Sequence, residues 1–391
     1  MNSKYRLIEG FKDREPLENE ILKDLEEKVT QFDPLPSIDT AGILETDISI
    51  KNFAAVASYS WDDDNKAQIL VPGHPKIWVE KSLPFTIEYD IGRTFVDQNS
   101  ANLGSSPLLP MFMAIRESNK EFKVTDMDFV TDRNGLRKLH RWVNGTSWSK
   151  QAVGQSFRID GELVQNTILL QRWEVESTQR GAPGYERNFH KFTTISARDC
   201  QNTTGHRRIV TFSFGGLKIL MRSMVDACLP NSIDPTEEIT NELENLKLAR
   251  KIAAFQDNFL TLCKAGKLVP QDSVIELKTR NLTPRDSLYW SDVYVQLFLS
   301  QTPHLYTGIH KRGEFKKIEK LTLNEVKSKA QEPERGLKRL RKFLGIIQST
   351  VLERLTDGES FSIVYQGGQL FLWKRDGKGG LLPPNVIELI Q

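Results

Sequence analysis

The chain of 391 residues is 39% hydrophobic and 27% charged, enough apolar material for one large domain or two of ordinary size. A formal net charge of +2 excludes nucleic-acid binding through bulk charge, so that role would need a local basic patch. Three cysteines (Cys200, Cys228, Cys263), odd in number and without C-x-x-C spacing, argue against a disulfide framework or a zinc site and fit a reducing compartment. With no signal-like N-terminus and no apolar run of membrane-spanning length, a soluble protein of nucleus or cytoplasm is expected, with no membrane partner.

In chain order, residues 1–36 read as an N-terminal helical extension, with a helix from Leu17 to Phe32 ended by Pro34 and Pro36. Residues 37–391 read as a single large α+β domain. Short strands are expected at Phe53–Tyr59 and Ala67–Val71, and the acidic triplet Asp62–Asp64 reads as a turn before a cation site. From Asp126 a strand leads through Asp132-Arg133-Asn134-Gly135 into a helix carrying Leu136, Leu139 and Val143. A β-rich block follows at Ser156–Ile159, Thr167–Glu174, Phe189–Ile195 and Arg208–Ser213. Phe214–Ala227 adds a strand with a Gly215-Gly216 bend. Thr236 to Lys264 reads as a helix, while Tyr289–Ser300 stays open between helix and strand. Pro333 to Leu355 is an amphipathic helix with a basic face of Arg335, Lys338, Arg339, Arg341 and Lys342. Phe361–Lys374 closes as a hairpin around Gly367-Gly368.

The stretch Asp272–Asn281 carries the chemistry. Turn-prone residues flank a β-branched apolar run, and strand alternation puts Glu276, Lys278 and Arg280 on one face and Ile275 and Leu277 on the other. Arg222–Ala227 reads as a strand as well. If the two strands are neighbours, Asp226 meets Glu276. Two carboxylates and a main-chain carbonyl, that of Leu277, suit Mg²⁺ or Mn²⁺, and Lys278 would orient a nucleophile or neutralise developing charge. The bland reading is two unrelated exposed acids.

Five separated stretches, in order, resemble the DXO-type decapping and exoribonuclease family, whose core is a PD-(D/E)XK nuclease fold. Val130–Leu139 is similar to its first motif, and Gly184-Tyr185-Glu186-Arg187-Asn188-Phe189-His190 to its G-Y-x-F-E motif with one extra residue. Met224-Val225-Asp226-Ala227 stands where the family has E-h-D-A (h, any apolar residue), and Glu276-Leu277-Lys278-Thr279 reads E-L-K-T unchanged. Gln296-Leu297-Phe298-Leu299, with Pro303 and Gly308 after it, is similar to the Q-S-F-L segment. The match spans about residues 126–315, and the region from Trp61 to Pro75 resembles a fungal branch.

The resemblance implies a mixed sheet core flanked by helices and a metal-dependent RNA 5′-end hydrolase. Asp226, Glu276 and the Leu277 carbonyl would hold Mg²⁺ or Mn²⁺, Lys278 would assist, and Arg133, Gln296 and His190 would meet substrate. Two family acids are replaced, however, one by His190 and one by Met224, and a thioether is no ligand for Mg²⁺. The second expectation is therefore a catalytically impaired pseudonuclease that binds RNA or a protein partner. The basic face at Arg335–Lys342, with Lys311, Arg312, Lys316 and Lys317, either tracks RNA or is a solvated helix face.

Overall fold

A computed structural model describes residues 20–33, 42, 45–64, 67–104, 106–146, 156–180, 184–230, 260–283, 288–376, 380–383 and 386–387. The chain opens with strands β1 (Leu25–Phe32), β2 (Ile50–Asp62), β3 (Gln68–Gly73), β4 (Lys76–Trp78), β5 (Phe85–Thr86) and β6 (Arg93–Phe95). Helices α1 (Gln98–Leu103) and α2 (Leu109–Ser118) come next, then β7 (Phe129–Asp132) and α3 (Arg133–Val143). After β8 (Phe157–Val164), β9 (Thr167–Arg172) and β10 (Thr178–Arg180) lie α4 (Glu186–Thr193) and β11 (Thr194–Ile195). Strands β12 (Thr203–Phe214), β13 (Leu217–Met224), β14 (Ala227–Cys228), β15 (Thr261–Gly266) and β16 (Val274–Asn281) precede α5 (Trp290–Ser300). The last elements are β17 (His304–Lys311), β18 (Glu314–Thr322), α6 (Leu323–Lys329), α7 (Pro333–Arg354), β19 (Ser360–Gln366) and β20 (Gln369–Arg375).

Two mixed sheets carry the fold. The larger runs β1-β20-β19-β8-β9-β7-β13-β12-β2-β3-β15 and the smaller β11-β4-β14-β16-β17-β18-β5. In the centre of the larger sheet, neighbouring residues feed opposite cores. Phe129, Ile168 and Ile219 face α3, α5 and α7, while Val130, Leu169 and Leu220 face α2. A strand segment buried on both faces cannot show polar alternation, and Phe129-Val130, Ile168-Leu169-Leu170 and Ile219-Leu220-Met221 are continuous apolar runs. In the smaller sheet Ile275 and Leu277 pack with Trp78, Phe189 and Phe315, and Glu276 points the other way. The result is the expected α+β single domain, a mixed sheet core flanked by helices.

Several local expectations are met. The Gly215-Gly216 pair, at φ +53° and +91°, forms a two-residue turn between β12 and β13. The strand over Val274–Asn281, the strand-to-helix step at Arg133, the long C-terminal helix and the closing hairpin all form. Tyr289–Ser300 resolves as helix α5.

Three differ. Leu25–Phe32, expected as helix, is an edge strand on β20, where Lys28 lies 4.3 Å from the centre of the Phe371 ring. A charged sequence suits an edge, because charge there discourages pairing with other chains. Phe189–Ile195, expected as strand, is helical to Thr193, with Phe189 and Thr193 buried one turn apart. The helix expected over Thr236–Lys264 lies outside the described residues up to residue 259, and its last part is strand β15.

Candidate active site

The site sits where the chain passes from one sheet to the other. Strand β13 ends the larger sheet at Met224, and the next residues but two, Ala227 and Cys228, pair antiparallel with Ile275 and Val274 of β16. Asp226 is thus delivered beside Glu276, and its Oδ2 accepts the Leu277 N–H at 2.9 Å. Burial and the nearby Glu276 charge raise the Asp226 pKa above the ordinary carboxylate value.

Glu276 is 5% exposed and surrounded by donors. Lys278 Nζ reaches Oε1 at 3.2 Å, Arg133 Nη2 reaches Oε2 at 3.3 Å, and the Gln296 amide also donates to Oε1. Burial opposes the charge on Glu276, yet Lys278 and Arg133 outweigh it and hold the carboxyl below its ordinary pKa. Burial likewise works against Lys278, but Glu276, Glu186 and Asp226 keep its pKa above the usual lysine value. The seven site residues proposed from the sequence, Asp226, Glu276, Leu277, Lys278, Arg133, Gln296 and His190, lie at this one corner.

Arg133 is aimed by its helix start. Its Nη1 donates to Ser300 Oγ at 2.9 Å and its Nη2 also reaches the Met224 carbonyl at 3.4 Å. The preceding Asp132 does not cap α3. Its carboxylate takes a bidentate pair from the fully buried Arg222, at 2.7 and 2.9 Å, which fixes the end of β7.

Sequence reasoning missed the next layer. Arg133, Arg137 and Arg141 stand four apart on α3, and Asp292, Gln296 and Ser300 stand four apart on α5, so each set lines one helix face. The two faces meet as a polar seam. Arg137 ion-pairs with Asp292 Oδ2, and Arg141 Nε lies 2.9 Å from Asp292 Oδ1. These two arginines outweigh burial and hold the Asp292 carboxyl far below its ordinary pKa. The four-residue spacing was the available signal.

The two departures from the family pattern have different fates. Met224 is 48% exposed, so its thioether turns to solvent. His190 Nε2 lies 3.3 Å from the Leu277 carbonyl oxygen, which makes the imidazole the donor to that oxygen. Glu186, one turn earlier, stays apart from Glu276 and instead accepts weakly from the Thr279 N–H at 3.4 Å.

Asp226, Glu276 and the Leu277 carbonyl are hard oxygen donors, but each already accepts a hydrogen bond from protein. Among the described residues no three His, Cys, Asp or Glu side chains gather as a metal-ligand set. The residues present do not fit a pair of divalent ions. A single ion would need Glu276 to release one of its cations.

Residues 40–367 match the profile of a family described as "Domain of unknown function (DUF8563)". The chain belongs to that family. No curated protein matches this member of the family. Its fold is shared with solved Rai1 and Dxo1 structures. S. pombe Rai1 superposes with a TM-score of 0.59 at 13% identity, over 88% of this chain and 99% of its own. Candida albicans Rai1 in complex with pU5-Mn²⁺ gives 0.56 at 12%, over 93% and 98%. K. lactis Dxo1 in complex with manganese gives 0.51 at 10%, over 92% and 98%. At these identities the likeness is one of fold.

Proposed function

We propose that this DUF8563 protein binds the 5′ end of RNA through the Arg133–Lys278–Gln296 corner, on a degenerate DXO-type fold that has lost two-ion hydrolysis. One observation carries the reading: a buried guanidinium, a partly buried ammonium and an amide converge on the single carboxylate of Glu276. A phosphate entering the corner offers these donors a better charged acceptor, since guanidinium and ammonium groups bind phosphate by charge-assisted hydrogen bonds. Substitution of the family's acids by His190 and Met224 removes negative charge that would otherwise repel that phosphate. The neighbours solved with pU5-Mn²⁺ and with 3′-FADP lend the ligand class.

A second reading is a metal-dependent RNA 5′-end hydrolase of reduced chemistry, favoured by the convergence of Asp226 on Glu276 beside Lys278. There Asp226, Glu276 and the Leu277 carbonyl would hold one Mg²⁺ or Mn²⁺, which would polarise the scissile phosphate.

Fluorescence anisotropy with 5′-phosphate and 5′-hydroxyl forms of one RNA tests the binding reading. The 5′-phosphate form should bind more tightly, and Arg133→Ala should abolish the difference. Equal affinity for the two forms would sink the proposal.

A further inference from the structure

Arg207 of β12 stands directly opposite Met224, the last residue of β13, and opposite Tyr59 of β2 on its other side. Residues paired in this way point to the same face of the sheet, with Cα atoms about 5 Å apart. Arg133 reaches the same methionine from α3, its Nη2 lying 3.4 Å from the Met224 carbonyl oxygen. Two arginines thus flank one half-exposed residue. We propose that Arg207 takes the phosphodiester next to the 5′ phosphate, so that the site holds a strand of RNA and not a terminal phosphate alone. This rests on the reading of the Arg133 corner as the place of the 5′ phosphate.

Three observations support it. First, Arg207 is only partly buried and makes no ion pair among the described residues. Its Nη1 donates to the Gly205 carbonyl at 3.0 Å. A guanidinium carries five donors, so most of them remain for a ligand. The acids near it are engaged elsewhere. Asp97 Oδ1 accepts the Asn99 N–H at 3.1 Å and its Oδ2 accepts the Ser100 hydroxyl at 2.7 Å. Asp132 is held by Arg222 at 2.7 and 2.9 Å.

Second, the register explains why Arg207 lacks a counter-charge. The DXO-type pattern has an acid at the position of Met224, and an acid there would face Arg207 across the strand pair. A thioether neutralises nothing. The same substitution that removes a metal-binding charge therefore releases a cation beside the corner. The half-exposed thioether between the two arginines also offers a base an apolar, polarisable surface.

Third, the guanidinium is aimed. Gly205, at φ +55°, makes the bend that presents its carbonyl to Arg207, and a Cβ there would collide with Gln98 Oε1. Only glycine gives both the left-handed backbone and the clearance.

The test is isothermal titration calorimetry of the full chain with uridine 5′-monophosphate (pU), the dinucleotide pUpU and its 5′-hydroxyl form UpU. Wild type should bind pUpU at least about tenfold more tightly than pU, the worth of one charge-assisted hydrogen bond. In Arg207→Gln that ratio should fall towards one. Met224→Glu sets an acid opposite Arg207 at a half-exposed position, where packing is little disturbed, and should lower the ratio as well. Should Arg207→Gln fail to fold, Met224→Glu decides alone. Equal affinity of wild type for pU and pUpU, or a ratio unchanged in the variants, overturns the proposal. The comparison of pUpU with UpU reports separately on the Arg133 corner. Equal affinity within that pair means that the corner has failed, whereas equal affinity for pU and pUpU means that Arg207 has.

Discussion

His190 Nε2 stands 3.3 Å from the carbonyl oxygen of Leu277, the main-chain atom that a divalent ion would otherwise share with Asp226 and Glu276. The imidazole competes with the ion for that oxygen and supplies no negative charge. Mn²⁺ should therefore bind weakly to the wild-type protein. His190→Glu/Met224→Glu, which returns two acids to the corner, should bind it at least about a hundredfold more tightly, a gain of about 3 kcal/mol. Isothermal titration calorimetry with Mn²⁺ measures this. Equal affinities would mean that these positions do not face an ion site.

Removing the carboxylate that Arg133 and Lys278 share has two opposite consequences. Glu276→Gln leaves the buried Arg133 and the partly buried Lys278 short of a counter-charge and should cost about 3 kcal/mol of stability in urea unfolding. The same change frees both cations for phosphate, so affinity for 5′-phosphate RNA should rise even as stability falls. A variant that lost both would show that Glu276 shapes the pocket more than it occupies its donors.

The bidentate Asp132–Arg222 pair makes a prediction about position. Arg222 is 1% exposed, so Asp132→Ala strands a guanidinium in the core and should destabilise the protein by about 3–5 kcal/mol. Asp132→Asn retains one of the two hydrogen bonds and should cost less. Because Asp132 directly precedes Arg133, the Asn variant should weaken RNA binding more than its stability loss alone explains. Binding by Asp132→Asn at the wild-type level, measured by anisotropy where the variant is fully folded, would sever the link to Arg133.

Burial lowers the His140 pKa from 6.5 to about 4, with the facing Asp292 raising it and Arg141 and Arg137 lowering it further. The folded protein thus resists a proton that the unfolded chain accepts. Stability from this source is complete above pH 6.5 and is lost as pH falls towards about 4, by up to about 3 kcal/mol. Urea unfolding across that range should show the slope, and His140→Gln should flatten it. A slope unchanged in the variant would assign the acid lability to other groups.

Much of the site was legible because strands obey a period of two. On β16, alternation alone places Glu276 and Lys278 away from the core that takes Ile275 and Leu277. The helix start at Arg133 was legible from the polar turn before an apolar helical spacing. The seam built on Asp292 was not, because its partners lie about 150 residues earlier and only the packing of α3 on α5 brings them together. Phe189–Ile195 misled for a local reason: aromatic and β-branched residues favour strand, yet the turn spacing of Phe189 and Thr193 matched a buried helix face. The edge strand β1 carries apolar residues at Leu25, Val29 and Phe32, a spacing that also describes a helix. Only its pairing with β20 decides between them.

The most direct test of the account is turnover of a 5′-monophosphate, a 5′-triphosphate and a capped RNA, with Mg²⁺ and Mn²⁺ supplied separately. Wild type is run beside Asp226→Ala and Glu276→Ala. The account predicts tight binding of 5′-phosphate RNA with no product above the level given by the two variants. Release of a cap or a nucleotide by the wild type, abolished by either substitution, would contradict it and establish a one-ion hydrolase.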